Sequence, residues 1–344
     1  MVRALSEVAA DTSRTLAIRS PLSAIWIGLG LALSAAMLAS LTLGFRLYGL
    51  DQVWSALWAF DGSETAVVIT NLRLPRAVIA PLVGAGLATA GVIVQTLSRN
   101  RLASPDTLGL NAGASLAVVL ASSLFGVSAL LGLSMAAALG ALLTSILVFA
   151  IASGAGGLSP IRIVLIGVTI AGLGHSIVEI ILTSDEAQLQ QLLFWLSGSF
   201  VDRPMSLATT GGPIILVAMA MAMLLARPLD ALQADDATAS SLGVPLTLVR
   251  GVSFLTVALL TGAAVSMAGP VTFVGLVMPH AARRLVGLRH ARQIPAAALL
   301  GAIYATLADV AARFVIYPVE APVGAITAVV GGIVLVLILQ RRAA

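Results

Sequence analysis

"GVSFLTVALLTGAAVSMAGPVTFVGLVMPHAARR", residues 251–284, carries no charged side chain before Arg283 unless His280 is protonated. A helix that spans a bilayer needs about 20 apolar residues. This run is long for one such helix and short for two. Gly269 and Pro270 stand together inside it, a pair that commonly breaks helices. Whether the chain crosses here once or twice decides the orientation of all that follows.

Outside this stretch, apolar runs bounded by charge, Gly or Pro recur along the chain. They predict spans at about 22–45, 75–97, 107–125, 127–152, 161–183, 205–226, 294–312 and 321–339, with 251–268 and 271–283 as the doubtful pair. Arginine placement resolves the doubt, because basic residues favour the cytoplasmic side of a membrane. With ten spans and a cytoplasmic N-terminus, fourteen arginines lie inside and five outside, at 46, 73, 76, 203 and 313. Merging the doubtful pair gives nine against ten. Ten spans are therefore expected, with a short eighth one. Each half then has an odd number of helices, an arrangement compatible with two inverted five-helix halves.

Composition agrees. Of 344 residues, 59% are hydrophobic and 10% charged, and mean hydropathy is +1.05. Soluble domains are about 25% charged, so an all-α integral membrane protein is expected. Cysteine is absent, which excludes disulfides and thiolate metal sites. All nineteen basic residues are arginine. Without lysine neither a phosphate-binding loop of the GxxxxGK[ST] type nor a lysine Schiff base can form. Any ATP used must therefore be bound by another chain. Residues 1–20 read as a cytoplasmic tail, 21–340 as one membrane domain, and 341–344 as a cytoplasmic C-terminus. The first apolar run is too long for a signal-peptide core.

Five ordered stretches carry a resemblance: "RLPR" at 73–76, "GAGLATAGVIVQTLSRNRLASPDTLGLNAGAS" at 84–115, "GPVTFVGLVMPHAARRLVG" at 269–287, "LADVAAR" at 307–313, and "APVGAITAVVGGIVLVLIL" at 321–339. Together they resemble the iron–siderophore and cobalamin ABC importer permeases, the FecCD family of type II importers. The wording is nearer the ferric siderophore branch. The resemblance implies a permease subunit of the bacterial inner membrane with both termini cytoplasmic. It pairs with a second, identical or paralogous, permease subunit. Two ATPases hold the ATP and magnesium, and an extracytoplasmic binding protein delivers a ferric siderophore. No cofactor is expected on this chain, which is not itself an enzyme, and no nucleic-acid partner. Cobalamin or haem transport by the same machinery is the nearest alternative. An ion-coupled transporter relying on His175, Glu179 and Asp309 is a more distant one.

The resemblance also assigns roles. Arg73, Arg76 and Arg313 match an outward pocket that receives acidic side chains of the binding protein, for which planar guanidinium donors are suited. Snorkelling to headgroups explains Arg73 and Arg76 without any partner, and Asp309, four residues before Arg313, offers it a local ion pair. The segment 228–250, amphipathic through Leu229, Leu232, Ala239 and Leu242, matches the coupling helices that seat on the ATPase. Asp235, Asp236, Thr238, Ser240 and Ser241 are expected to make polar contacts there, and Leu232, Leu242 and Gly243 close packing. Asn100 and Leu102 match an inner gate, with Arg101 where relatives carry proline. Pro160 and Ile161 form a second gate candidate. Gln188, Gln191, Phe194, Trp195 and Ser197 fall on a short outer helix facing the vestibule, although Trp195 fits the aromatic belt of an interface equally well. His175 and Glu179, four apart on one helix face, read as a proton relay or as a structural hydrogen bond between helices. Lipid contact is expected along the spans.

Overall fold

The computed structural model describes residues 22–154, 159–184, 192–316 and 318–343. The expected tail at 1–20 lies outside them, as do Gln188 and Gln191. Among the described residues the regular structure is helical. Helix α1 is Leu22–Thr42 and α2 Leu50–Trp58. Helix α3 runs Glu64–Leu97. Then follow α4 Leu110–Phe125, α5 Leu130–Gly154, α6 Pro160–Ser184 and α7 Met205–Leu224. The short pair α8 Ala226–Leu232 and α9 Asp236–Ser241 leads into α10 Leu246–Ala268. Helices α11 Val274–Val286, α12 His290–Val315 and α13 Val323–Ala343 complete the chain.

Seven of these, α1, α3, α5, α6, α7, α10 and α12, are long and apolar enough to cross a membrane, and α4 and α13 are shorter apolar helices. The stretch that opened the reading does split. Helix α10 ends at Ala268, Gly269 turns at φ 72, and α11 begins at Val274. Only 13 residues long, α11 covers about 20 Å at 1.5 Å per residue, short of a 30 Å hydrocarbon core. The non-helical lead before it therefore lies at membrane depth. Such backbone is tolerated only where protein covers it or where it lines a water-filled cavity. Phe273 within it adopts φ +65, a strained conformation for a bulky side chain.

Helix α3 lies at the centre and is buried nearly all round, which its all-round apolar sequence requires. It begins eleven residues before the expected start. Ser63 caps it by accepting a hydrogen bond from the Ala66 N–H at 3.2 Å, and a π turn over Ile69–Arg73 joins the two parts. Pro75 reads as a helix start, yet here it merely occupies the first turn after that π turn. Two glycine pairs bring neighbours against α3. A Cβ on Gly84 would lie 2.1 Å from the Gly301 carbonyl oxygen of α12, and one on Gly91 would lie 1.9 Å from that of Gly275 in α11. Gly91→Ala is therefore expected to destabilise the protein by at least about 1–3 kcal/mol. Gly30→Ala in α1, where a Cβ meets nothing within 4 Å, should leave thermal melting in detergent unchanged.

Helix α2 is not evident in the sequence. Gln52 accepts the Gly49 N–H at 3.0 Å at its start, and Val53 and Ala56 are buried. Trp54 and Trp58, ring centroids 5.5 Å apart, are exposed. Amphipathic aromatic rings of this kind favour the headgroup level.

Candidate functional site

The bundle has two chemically distinct ends, joined by α3, and a cavity between them. At the first end Arg73, Arg76 and Arg313 do converge, from α3 and α12, but they turn inward. They are only 7%, 7% and 2% exposed. Arg76 donates from Nη2 to Asp309 Oδ1 at 2.7 Å and from Nη1 to Glu320 at 3.0 Å. Arg313 bonds the other Asp309 oxygen, so the expected local pair exists. Arg313 also donates from Nη1 to the carbonyls of Ser40 and Leu43, each at 2.7 Å. Arg73 donates to the Leu41 carbonyl at 2.7 Å and to that of Arg46, and its guanidinium lies 4.4 Å from the Tyr48 ring centroid. Snorkelling to headgroups is excluded by this burial. The arginines fasten α1 and the segment after it onto α3 and α12.

Three guanidinium groups face two carboxylates, Asp309 and Glu320, so one positive charge is uncompensated. It falls to Arg73, whose partners are carbonyls and a ring. The cluster lines a cavity of about 350 Å³ whose rim carries Arg46 and Glu64, an exposed pair at 2.7 Å. Arg46 had no role in the sequence reading.

At the opposite end α8 and α9 form a compact helix–turn–helix. The segment is shorter than expected, because Leu246–Arg250 already belong to α10. Asp235 caps α9, accepting the Thr238 N–H at 2.6 Å and its hydroxyl at 2.9 Å. These bonds hold its carboxyl below the usual carboxylate range. Leu229, Leu232 and Ala239 are buried. Asp236 accepts from Arg250 at 2.7 Å and from Arg99 at 2.6 Å. The expectation that Leu232 packs outside the chain is thus corrected, because it is core; Asp236 pins α9 to α10 and to the end of α3 while its side chain stays 42% exposed. What the knob exposes is Asp235, Ser240, Ser241, Leu242 and Gly243, with Leu242 68% exposed. A Cβ on Gly243 would meet nothing within 4 Å, so it packs against nothing in its own chain. Beside the knob, Asp230 accepts from the His290 backbone N–H at 2.9 Å and from its ring at 2.6 Å, and the far ring nitrogen lies 2.7 Å from Thr96 Oγ1. This chain ties α8, α12 and α3 together.

Partial burial pushes the Asp236 carboxyl up, but Arg250 and Arg99 outweigh it and the group titrates below its usual range. A depressed carboxylate stabilises the fold above the unfolded value near 4, and the contribution is lost as pH falls through the folded value. Limited proteolysis at 233–245 should therefore be unchanged from pH 8 to 5 and accelerate only below about pH 4. Asp236→Ala should accelerate it from pH 8 to 5, and its difference from the wild type should shrink below about pH 4.

The gate candidates have varied placements. Asn100 closes a turn, its Oδ1 accepting the Leu102 N–H at 2.9 Å, and Leu102 is exposed. Pro160 opens α6, with Ile161 exposed. Phe194 is partly exposed, whereas Trp195 is 5% exposed, which removes it from any aromatic belt. Ser197 reaches the main cavity.

That cavity has a volume of about 620 Å³ and is bounded by the turn Pro105–Leu108, α4, α6 and the lead into α11. Asp106, Asn111, His175, Ser197, Thr272 and Phe273 are among its walls. His175 belongs also to a polar stripe on α6, where Thr169, Gly172, Ser176, Glu179 and Thr183 recur at three- and four-residue steps, all exposed. Among the described residues no bond joins His175 to Glu179, four residues apart on α6. An ionisable residue on a spanning helix does not face lipid.

Residues 31–341 match the FecCD transport family. The chain is 38% identical to the "Probable siderophore transport system permease protein YfiZ" of Bacillus subtilis (strain 168), over 90% of this chain and 94% of that one. It is 36% identical to the ferric enterobactin transport system permease protein FepD of Escherichia coli (strain K12), over 92% and 94%. A solved structure described as an inward-facing conformation of a metal-chelate type ABC transporter superposes with a TM-score of 0.83 at 29% identity, covering 93% of this chain and 99% of that one.

Proposed function

The chain belongs to the FecCD transport family, and we propose that it is the membrane-spanning subunit of an ATP-driven importer of ferric siderophore complexes. One observation carries the mechanism: His175 lines the main cavity and also belongs to the exposed polar stripe of α6. A wall that is polar and open on one side is half of a conduit. A second permease subunit, identical or paralogous, completes it and removes Glu179 from lipid.

The remaining parts follow from the two ends. The Arg73 end faces the outside and receives acidic side chains of a binding protein. Its single uncompensated charge and the Arg46 rim attract them, while the buried ion pairs keep the receiving surface rigid. Rim charges of this kind set encounter rate and register more than affinity. The Asp236 end faces the cytoplasm, where the α8–α9 knob presents Leu242 and its polar surround to one of two ATPases. Because Arg99, Arg250 and the Asp230–His290–Thr96 chain lock the knob to α3, α10 and α12, a push on it moves the cavity walls as a body. To Asn100, Leu102, Pro160 and Ile161 we assign the inner exit that such a movement opens or narrows. The protein does no covalent chemistry, and ATP hydrolysis resides on the partner subunits.

The test is uptake of ⁵⁵Fe-labelled siderophore complexes into cells carrying or lacking this gene. Uptake should vanish on deletion and on mutation of the partner ATPase's phosphate-binding lysine. Persistence of uptake after either change would refute the reading.

A further inference from the structure

The importer reading leaves open what kind of iron chelate the conduit admits, and the cavity wall bears on that question. Among the described residues lining it, Asp106 is the one carboxylate, and no arginine is present. His175 is the other titratable group. Asn111 is 8% exposed. Its amide nitrogen donates to Asp106 Oδ1, and this fixes the amide with its carbonyl oxygen turned away from that bond. That oxygen, Oδ1, is buried without a partner. Buried polar atoms are rarely left unpaired, and each exception calls for a physical explanation.

Both free functions of this pair are acceptors. An ionised carboxylate accepts only, and so does an amide oxygen; burial pushes the Asp106 carboxyl up to about 7, so a cation beside it is what draws it into the ionised form. Ser197 does not change the balance, because its hydroxyl hydrogen is already donated to the Leu193 carbonyl at 2.6 Å. The backbone reinforces the placement. Asp106 sits on a tight turn whose exit, Gly109, has φ +74 and packs against the Gly167 carbonyl of α6. The turn also abuts α11 through Pro105 and Gly275. The turn that carries the carboxylate is thus held between α4, α6 and α11. Phe273, at φ +65, shares the cavity wall and offers an apolar surface that strengthens any charge interaction nearby by excluding water.

From this we propose that Asp106 and Asn111 form a cargo-contacting station that favours iron chelates bearing a cationic or hydrogen-bond-donating periphery, such as a pendant ammonium group, over neutral and polyanionic ones. The proposal rests on the importer reading and adds a charge preference to it. A polyanionic chelate finds no arginine among the described residues of this wall to offset its charge. An ammonium group finds two acceptors side by side. A charge-assisted hydrogen bond contributes about 1.5–3 kcal/mol, and 1.4 kcal/mol corresponds to a factor of ten. The expected preference is therefore about tenfold or more.

The experiment compares ⁵⁵Fe-ferrioxamine B, which carries a free ammonium group, with its N-acetylated form, which has the same iron core without that charge. Both are given to cells expressing the complete importer with one binding protein, so that any change in the ratio between permease variants arises in the permease. The ratio of ammonium-form to acetylated-form uptake should be about tenfold higher in the wild type than in Asp106→Asn. Asp106→Glu should retain the preference even where total uptake falls. Should Asp106→Asn not accumulate in the membrane, Asn111→Ala, which removes the free acceptor, must lower the ratio instead. An unchanged ratio in these variants would overturn the proposal and leave the importer reading standing. Uptake of neither probe nor of any other ferric siderophore by the wild type would remove the importer reading, and the station with it.

Discussion

Asp309→Ala is expected to destabilise this protein by about 3–5 kcal/mol, the usual cost of removing one member of a buried ion network. Asp309 is fully buried and bonds two arginines at once, Arg76 and Arg313. Without it Arg313 retains only carbonyl and hydroxyl acceptors from α1 and its following turn. Arg76 retains Glu320 alone. Three guanidinium groups would then share the cluster with one carboxylate. Melting in detergent should fall by on the order of 10 °C, and α1 should become accessible to protease, since Ser40 and Leu43 anchor it. Arg46→Ala serves as the comparison. Its pair with Glu64 is exposed on both sides, and such pairs contribute less than about 1 kcal/mol.

Leu242→Asp should leave the fold intact and abolish uptake. The side chain is exposed on the knob, where an isolated apolar residue among Asp235, Ser240 and Ser241 has no use within the chain. In an interface a buried anchor of this type commonly contributes 2 kcal/mol or more, so ATPase copurification should drop at least about tenfold. Leu232→Asp is expected to behave in the opposite manner. It places a carboxylate in the packed face of α8, so it should lower melting temperature and expression first. If Leu242→Asp melted early while Leu232→Asp lost only the ATPase, the assignment of inner and outer faces of the knob would be wrong.

The sequence made some of this legible and hid the rest for identifiable reasons. Spans show through length and hydropathy, and the Gly269–Pro270 break shows through its turn chemistry. The Asp309–Arg313 pair lies within one helical turn and was accessible to spacing alone. Its extension to Arg76 joins residues 233 positions apart, and no local pattern reports such a contact. The same limit applies to Arg99 and Asp236, 137 positions apart. Hence arginines that look free for a partner are largely occupied at home. Amphipathicity identified the knob, but it cannot say which apolar residue of a two-helix turn points inward; that depends on how α8 seats on α12. Helix α2 has nine residues, fewer than a periodic signal requires. Trp195 and Asn111 illustrate a further limit. Burial of a polar or aromatic side chain depends on neighbours brought from elsewhere in the chain, here the α10–α11 connection and the turn at Pro105. The cavity itself exists only where those segments meet.

The central claim is that the Arg73 end and the Asp236 end lie on opposite sides of one membrane, the first outside and the second in the cytoplasm. Because the chain has no cysteine, single substitutions report without background. Arg46→Cys and Ser240→Cys, both at exposed positions, can each be treated with a membrane-impermeant maleimide before and after the membrane is permeabilised. The account predicts labelling of Arg46→Cys in sealed, right-side-out cells and of Ser240→Cys only after permeabilisation. Labelling of both from the same side, or of Ser240→Cys alone from outside, would contradict it.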